Sequence, residues 1–419
     1  MLTASMLLLS SALAVHTPDP LVLRAISPDP GVSEPAIAAL RRGGQPSVDA
    51  MLAGHGQIAR EAKSEARFRE ALDRVCRQAD CVWSGLYWYT DLDEARQAAR
   101  ATHRPILSLR LLGDLGDELS CANSRYFRTV LYPNREIAAY LREHFVLHWS
   151  SERPVPVVTI DFGDGRVLHR TITGNSIHYL LDETGRPLDA LPGLYAPAPF
   201  LAQLRDMSWL YDQWSHLAPD AREAGLRGYH RVRSESAAAS TRVDLPAGKT
   251  ETARGARLQQ PAYAWEASRL ALSKSIGEAT MFSTISFGTK SPVPDIKPLL
   301  EGVAAGDDFA AIDESALGLI REKRAPLHES PESLARAMES FRRSLAADTL
   351  QNEYTLRPLI HEIFREKPGL TFAELNDRVY AEVFRTPRED PWLGLRSDQT
   401  FTAIAAEGVE QRRDTLSKR

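Results

Sequence analysis

Cysteine is scarce in this chain: three residues, Cys76, Cys81 and Cys121, among 419. So few cannot build a disulfide-dense scaffold, and the three lack the paired spacing of a structural zinc site. Charge of one sign is also missing. The formal net charge is -4, so the whole chain has no electrostatic case for binding nucleic acid. No apolar run is long enough to span a bilayer. Internal repeats and long heptad runs are absent, which excludes solenoids and coiled coils. Histidines at metal spacing are missing too. His144 and His148 straddle a helix-to-strand change, and His328 and His361 stand in unrelated settings. No metal and no other cofactor is therefore expected. What remains is an ordinary globular balance, 43% hydrophobic and 25% charged, over a length that suits two domains.

The first 14 residues carry an apolar core ending in Ala12-Leu13-Ala14, a small-x-small pattern that resembles a secretory signal peptide. They lack the usual basic residue before the core. The expectation is a periplasmic or secreted protein, with a cytoplasmic location as the alternative. Outside the cytosol an odd cysteine count points to one pair and one thiol. Cys76 and Cys81 are close enough in sequence to pair across a helix end. Short loops often fail disulfide geometry, so two separate thiols are the other reading.

Residues 15–81 read as an N-terminal arm and a helical extension. Pro18, Pro20, Pro28, Pro30 and Pro35 argue against regular structure at its start. Phe68, Leu72 and Val75 at helical spacing predict a helix before Cys81. An α/β unit follows over 82–217. Its expected strands are Leu86–Tyr89, Ile106–Leu112 and Phe145–Trp149, then a hairpin around Gly163-Asp164-Gly165, then Ile177–Leu181 and Pro187–Leu191. Helices are expected after Thr90, from Arg135 behind an Asn134 cap, and over Pro199–Trp209. Residues 218–260 are polar and read as a linker or mobile loop. An all-α domain is expected over 261–419, with helices at Tyr263–Glu278, Asp307–Lys323, Pro331–Thr349, Leu356–Glu366 and Thr371–Phe384.

Four stretches of the α/β unit resemble the bacterial thioredoxin-like family. They are Asp93–Arg100 with Arg104-Pro105-Ile106, Cys121-Ala-Asn-Ser124, Asn134 through Phe145-Val146, and Leu180-Leu-Asp-Glu-Thr-Gly-Arg-Pro187. The resemblance covers about a third of the chain. It implies a thioredoxin-like fold, a central mixed sheet flanked by helices, here followed by an all-α domain. Two departures stand out. Ser124 replaces the family's second active-site cysteine, and Ser176 stands where the family has a cis-proline.

Cys121 at a strand-to-helix junction is the candidate nucleophile, because a helix start favours an anionic thiolate. The Ser124 hydroxyl is the expected donor to the sulfur. Arg125 and Arg128 favour the anion, and Asp114, Asp117 and Glu118 oppose it. Asn123, Asn175, Ser176 and His178 are expected to line a substrate groove. His178 either faces the thiol as a base or points away. Cys76 or Cys81 can serve as a resolving cysteine if the N-terminal helix packs over the site. The expected function is single-thiol redox chemistry, through a mixed disulfide or a sulfenic acid, with a thiol or disulfide protein or a small glutathione-like thiol as partner. The alternative is a non-catalytic envelope protein. In it the thioredoxin-like unit is a scaffold and the C-terminal helices bind a partner protein.

Overall fold

The run Ile106-Leu-Ser-Leu-Arg-Leu-Leu112 is apolar on both faces, and the computed structural model makes it the central strand β1 (Ile106–Leu112). Residues 19–58, 61–171, 174–242 and 309–393, with 406 and 409, are described; the expected leader, the helix expected at Tyr263–Glu278 and the rest of the expected linker lie outside them. β1 pairs in parallel with β2 (Val146–Arg153) and antiparallel with β5 (Ser176–Leu181). β5 pairs antiparallel with β6 (Pro187–Pro192), giving a mixed sheet in the order β2-β1-β5-β6. The short strand expected at Leu86–Tyr89 is reduced to one parallel bridge, Tyr89 to His148. β3 (Val157–Asp161) and β4 (Val167–Thr171) form the expected hairpin as a separate two-stranded sheet.

The N-terminal arm is helical where prolines argued otherwise. α1 (Pro20–Ala25) and α2 (Pro30–Gly43) each begin at a proline behind an aspartate, and Asp19 and Asp29 accept from the backbone N–H groups of Leu21 and Gly31. At the first helical position proline's missing N–H costs nothing and its fixed φ suits the turn. α3 (Gln45–Ile58) and α4 (Ala62–Cys76) complete this layer. Val22, Leu40, Met51, Phe68 and Leu72 form a core of their own, closed by a disulfide between Cys76 and Cys81. Cys81 opens the single turn α5 (Cys81–Ser84).

Around the sheet lie α6 (Leu92–Thr102), α7 (Ala122–Tyr126), α8 (Arg135–His144) and α9 (Pro197–His216). α7 runs on through a π-helical turn, Phe127–Leu131. Asn134 caps α8 as expected, accepting from the Ile137 N–H at 3.1 Å.

The expected linker is in part a helix, α10 (Pro219–Arg242), packed on α13 (Arg357–Glu366). Its low apolar content hides a mixed buried side, in which Leu226 joins the core beside polar residues. His230 and Ser234 are buried, and their partners are the polar side chains of His361 and Arg365. The C-terminal helices α11 (Glu314–Arg324), α12 (Pro331–Gln351), α13 and α14 (Phe372–Arg378) fall close to the expected positions. They do not form a separate core. Leu345, Ile360, Phe364, Phe372 and Leu375 belong to the same hydrophobic cluster as Leu109, Leu180 and Leu204. A buried ion pair, Arg357 to Asp189 at 2.9 Å, ties α13 to β6. Among the described residues no helix is long and apolar enough to cross a membrane.

Candidate functional site

β1 delivers the chain to Gly113, which turns with φ 82°. A Cβ there would stand 3.2 Å from the Val155 side chain and 3.4 Å from the Ser120 Cα, so the loop can return closely on itself. It ends at Cys121, the N-cap of α7. The Ser124 backbone N–H donates to Cys121 Sγ at 3.4 Å, the bond a side-chain oxygen would accept at an ordinary cap. This structure therefore brings Ser124 to the sulfur through its backbone. Its hydroxyl accepts from the Ser120 hydroxyl at 2.7 Å.

The turn before β5 faces this helix start. The atoms nearest to where a Gly174 Cβ would stand are Ala122 N, Asn123 Oδ1 and Cys121 Cβ, each at 3.4 Å. Asn123 Nδ2 donates to Ser176 Oγ at 2.7 Å, while its buried Oδ1 has no hydrogen-bond donor. No peptide bond among the described residues is cis, so Ser176 follows a trans bond.

The expected groove is not open. Cys121, Ser124 and Ser176 are all 0% exposed, and Asn123 and Asn175 are buried. The cover comes from the C-terminal helices, which the sequence reading assigned no place at this site. α14 continues through a π-helical turn, Val379–Val383, that carries Tyr380. The Tyr380 hydroxyl donates to the Asn175 carbonyl at 3.3 Å, and Asn175 Nδ2 donates to Thr386 Oγ1 at 3.0 Å. Burial first, then Glu152, Tyr179 and Cys121, push the Tyr380 hydroxyl well above its ordinary pKa, so it remains a donor. Tyr380 and Thr386 also line a cavity of about 250 Å³, with Glu152, Arg153, Arg378 and Arg388 among its other walls.

His178 lies on the same strand face as Ser176, and its ring is engaged away from the thiol. Its Nε2 pairs with the Tyr132 hydroxyl at 2.9 Å, and its ring packs edge-on against Phe127 and Phe200. Burial pushes its pKa down to about 3, so the imidazole is a weak proton acceptor.

The two arginines on the helix are committed to fixed partners. Arg125 donates to the Ser120 carbonyl at 3.0 Å and to Thr171 Oγ1 at 2.8 Å. Arg128, fully buried, donates to the Glu118 carbonyl at 3.1 Å and pairs with its carboxylate at 3.2 Å. Lys323 of α11 pairs with the same carboxylate at 3.2 Å. Burial works against the Glu118 anion, but Arg128 and Lys323 more than offset it and hold the carboxyl below its ordinary pKa. Asp117 moves the other way, raised by burial and then by Asp114. Of the acidic loop, Glu118 is thus clamped by cations rather than aimed at the sulfur.

Cys76 and Cys81 are bonded to each other and belong to the N-terminal core, whereas Cys121 belongs to the sheet core. In this disulfide state neither is a resolving thiol. Comparison with protein-family models, with curated proteins and with solved structures finds no match to the chain.

Proposed function

We propose that this chain is a thioredoxin-like protein of the cell envelope that works through a single thiol, Cys121, held under a C-terminal cover. One observation carries the reading. Cys121 caps the first helix after the central strand, takes the Ser124 N–H at 3.4 Å, and faces the Gly174–Ser176 turn that precedes the antiparallel strand. The strand order β2-β1-β5-β6, with β1 parallel to β2 and antiparallel to β5, supports the thioredoxin-like assignment.

The chemistry follows from having one thiol. The Cys121 thiolate attacks one sulfur of a disulfide substrate, forms a mixed disulfide and expels the other sulfur as a thiolate. With the Cys76–Cys81 pair closed, an external small thiol must then attack the mixed disulfide and restore Cys121. Peroxide would instead take the thiolate to a sulfenic acid, which the same class of thiol reduces. Folded protein treated with oxidised glutathione or mild peroxide should carry the adduct on Cys121 by peptide mass spectrometry. A folded protein whose Cys121 stays unmodified overturns the proposal.

The burial of Cys121, Asn123, Ser124 and Ser176 favours a second reading, a scaffold whose thiol is only packing. On that reading the C-terminal helices bind a protein partner. Cys121→Ser would then leave the biological phenotype intact, whereas the thiol reading requires its loss.

A further inference from the structure

We propose that Asp189, His230 and His361 form a binding site for a zinc-class divalent cation, separate from the thiol. The three come from β6, α10 and α13, far apart in sequence and joined by the fold. All are buried, and one ligand atom from each lies within 4.8 Å of the other two. His230 Nδ1 and His361 Nδ1 point at each other across 2.9 Å, and His361 Nδ1 stands 3.9 Å from Asp189 Oδ1. Around a tetrahedral zinc with ligand bonds of ~2.0–2.1 Å, donor atoms lie about 3.3 Å apart. The two observed separations bracket that value, so a bound ion requires only small side-chain shifts. Two imidazoles and one carboxylate are the donor set of three-ligand zinc sites, which leave a further position for water.

The surroundings are arranged as outer-shell support. Asp189 Oδ2 accepts from the Tyr229 hydroxyl at 2.7 Å and from Arg357 Nη2 at 2.9 Å. Those bonds fix the carboxylate while its other oxygen, which also takes the Ala190 N–H at 2.7 Å, faces the histidines. Arg357 is shared with Glu353 at 3.1 Å, so its cation does not fall on Asp189 alone. The His230 ring is stacked on Phe364 with centroids 4.1 Å apart, which holds its orientation.

The site is made only when α10 and α13 close on β6, so metal enters with folding. The untagged full-length chain is refolded with Co²⁺ or Zn²⁺ and, separately, with chelator. The proposal expects one tightly held Co²⁺ per chain with the visible ligand-field bands of a low-coordinate nitrogen and oxygen site. It also expects a melting temperature higher with Zn²⁺ than with chelator. His230→Gln and His361→Gln, checked as folded by circular dichroism, should each weaken Co²⁺ binding at least ~100-fold, beyond the usual cost of losing outer-shell support. Arg357→Lys tests whether the folded cluster alone explains the data. It should keep the bands while shifting affinity. A folded wild type with no bound metal, or one that binds Co²⁺ as well as both histidine variants, overturns the site.

Discussion

His178 and Asp73 respond to acid in opposite senses. The folded His178 titrates at about 3 because burial disfavours its cation. An unfolded histidine titrates near ~6.5. Its contribution to stability is present above that value and is lost as pH falls toward 3. Asp73, in the last turn of α4, accepts the N–H groups of Asp80 and Cys81 at 3.1 and 2.8 Å. Burial nevertheless raises it to about 7. Its contribution is present below an unfolded aspartate's ~3.9 and is lost as pH rises through 7. The two oppose each other between roughly pH 4 and 6.5. Urea midpoints across that window should rise more steeply with pH in Asp73→Asn than in wild type. In His178→Gln the rise should flatten or reverse. Equal slopes in all three proteins would refute the assignment. The candidacy of Cys121 was legible from one residue and its neighbours, since a cysteine after an apolar strand and before a helix is a local pattern. Its burial was not, because the site around it is closed by residues distant in sequence: Tyr380 and Thr386 reach Asn175 across separations of 205 and 211.

Elements were legible where their periodicity was local. The hairpin β3–β4, the Asn134 cap and most C-terminal helices fall near their expected positions. α1 and α2 are not legible from proline content alone, because the aspartate before each first proline caps a helix that the proline then starts. α10 is not legible from composition, because its polar side chains Tyr229 and His230 meet buried polar partners that lie far away in sequence. Three π-helical turns extend α7, α12 and α14, and no apolar spacing announced them. The one after α12, Asn352–Leu356, fixes the turn that follows β6. Gly193 there has φ 71°, and a Cβ would stand 2.6 Å from Asn352 Nδ2, which donates to the Leu194 carbonyl. Gly193→Ala should therefore destabilise the protein by ~1–3 kcal/mol, combining backbone strain with the loss of a buried contact. Chemical denaturation measures this. A change below about 0.5 kcal/mol, the range of neutral surface substitutions, would show that the turn is slack.

At the scale of the molecule, the expected C-terminal helical region shares its core with the sheet. Tyr179 on β5 donates to Asn376 of α14 at 3.2 Å and packs edge-on against Phe372. Arg110 on β1 lies over the same Phe372 ring. Amphipathic helices in sequence show that an apolar face exists but not which surface it covers. Sheet and C-terminal helices should consequently unfold together. Far-ultraviolet circular dichroism and tryptophan fluorescence, to which the sheet-core Trp88, Trp149 and Trp214 contribute among seven tryptophans, should give coincident denaturation curves. Two separated transitions would restore the two-domain description.

The cover over Cys121 has a kinetic meaning as well. A fully buried thiol meets a reagent only in the fraction of molecules whose cover has lifted. Where closing outruns the chemistry, the labelling rate is the intrinsic thiol rate multiplied by that open fraction. Cys121 is thus a clock for the local opening of the packed turn and helices around it, the Asn175 contacts of Tyr380 and Thr386 among them.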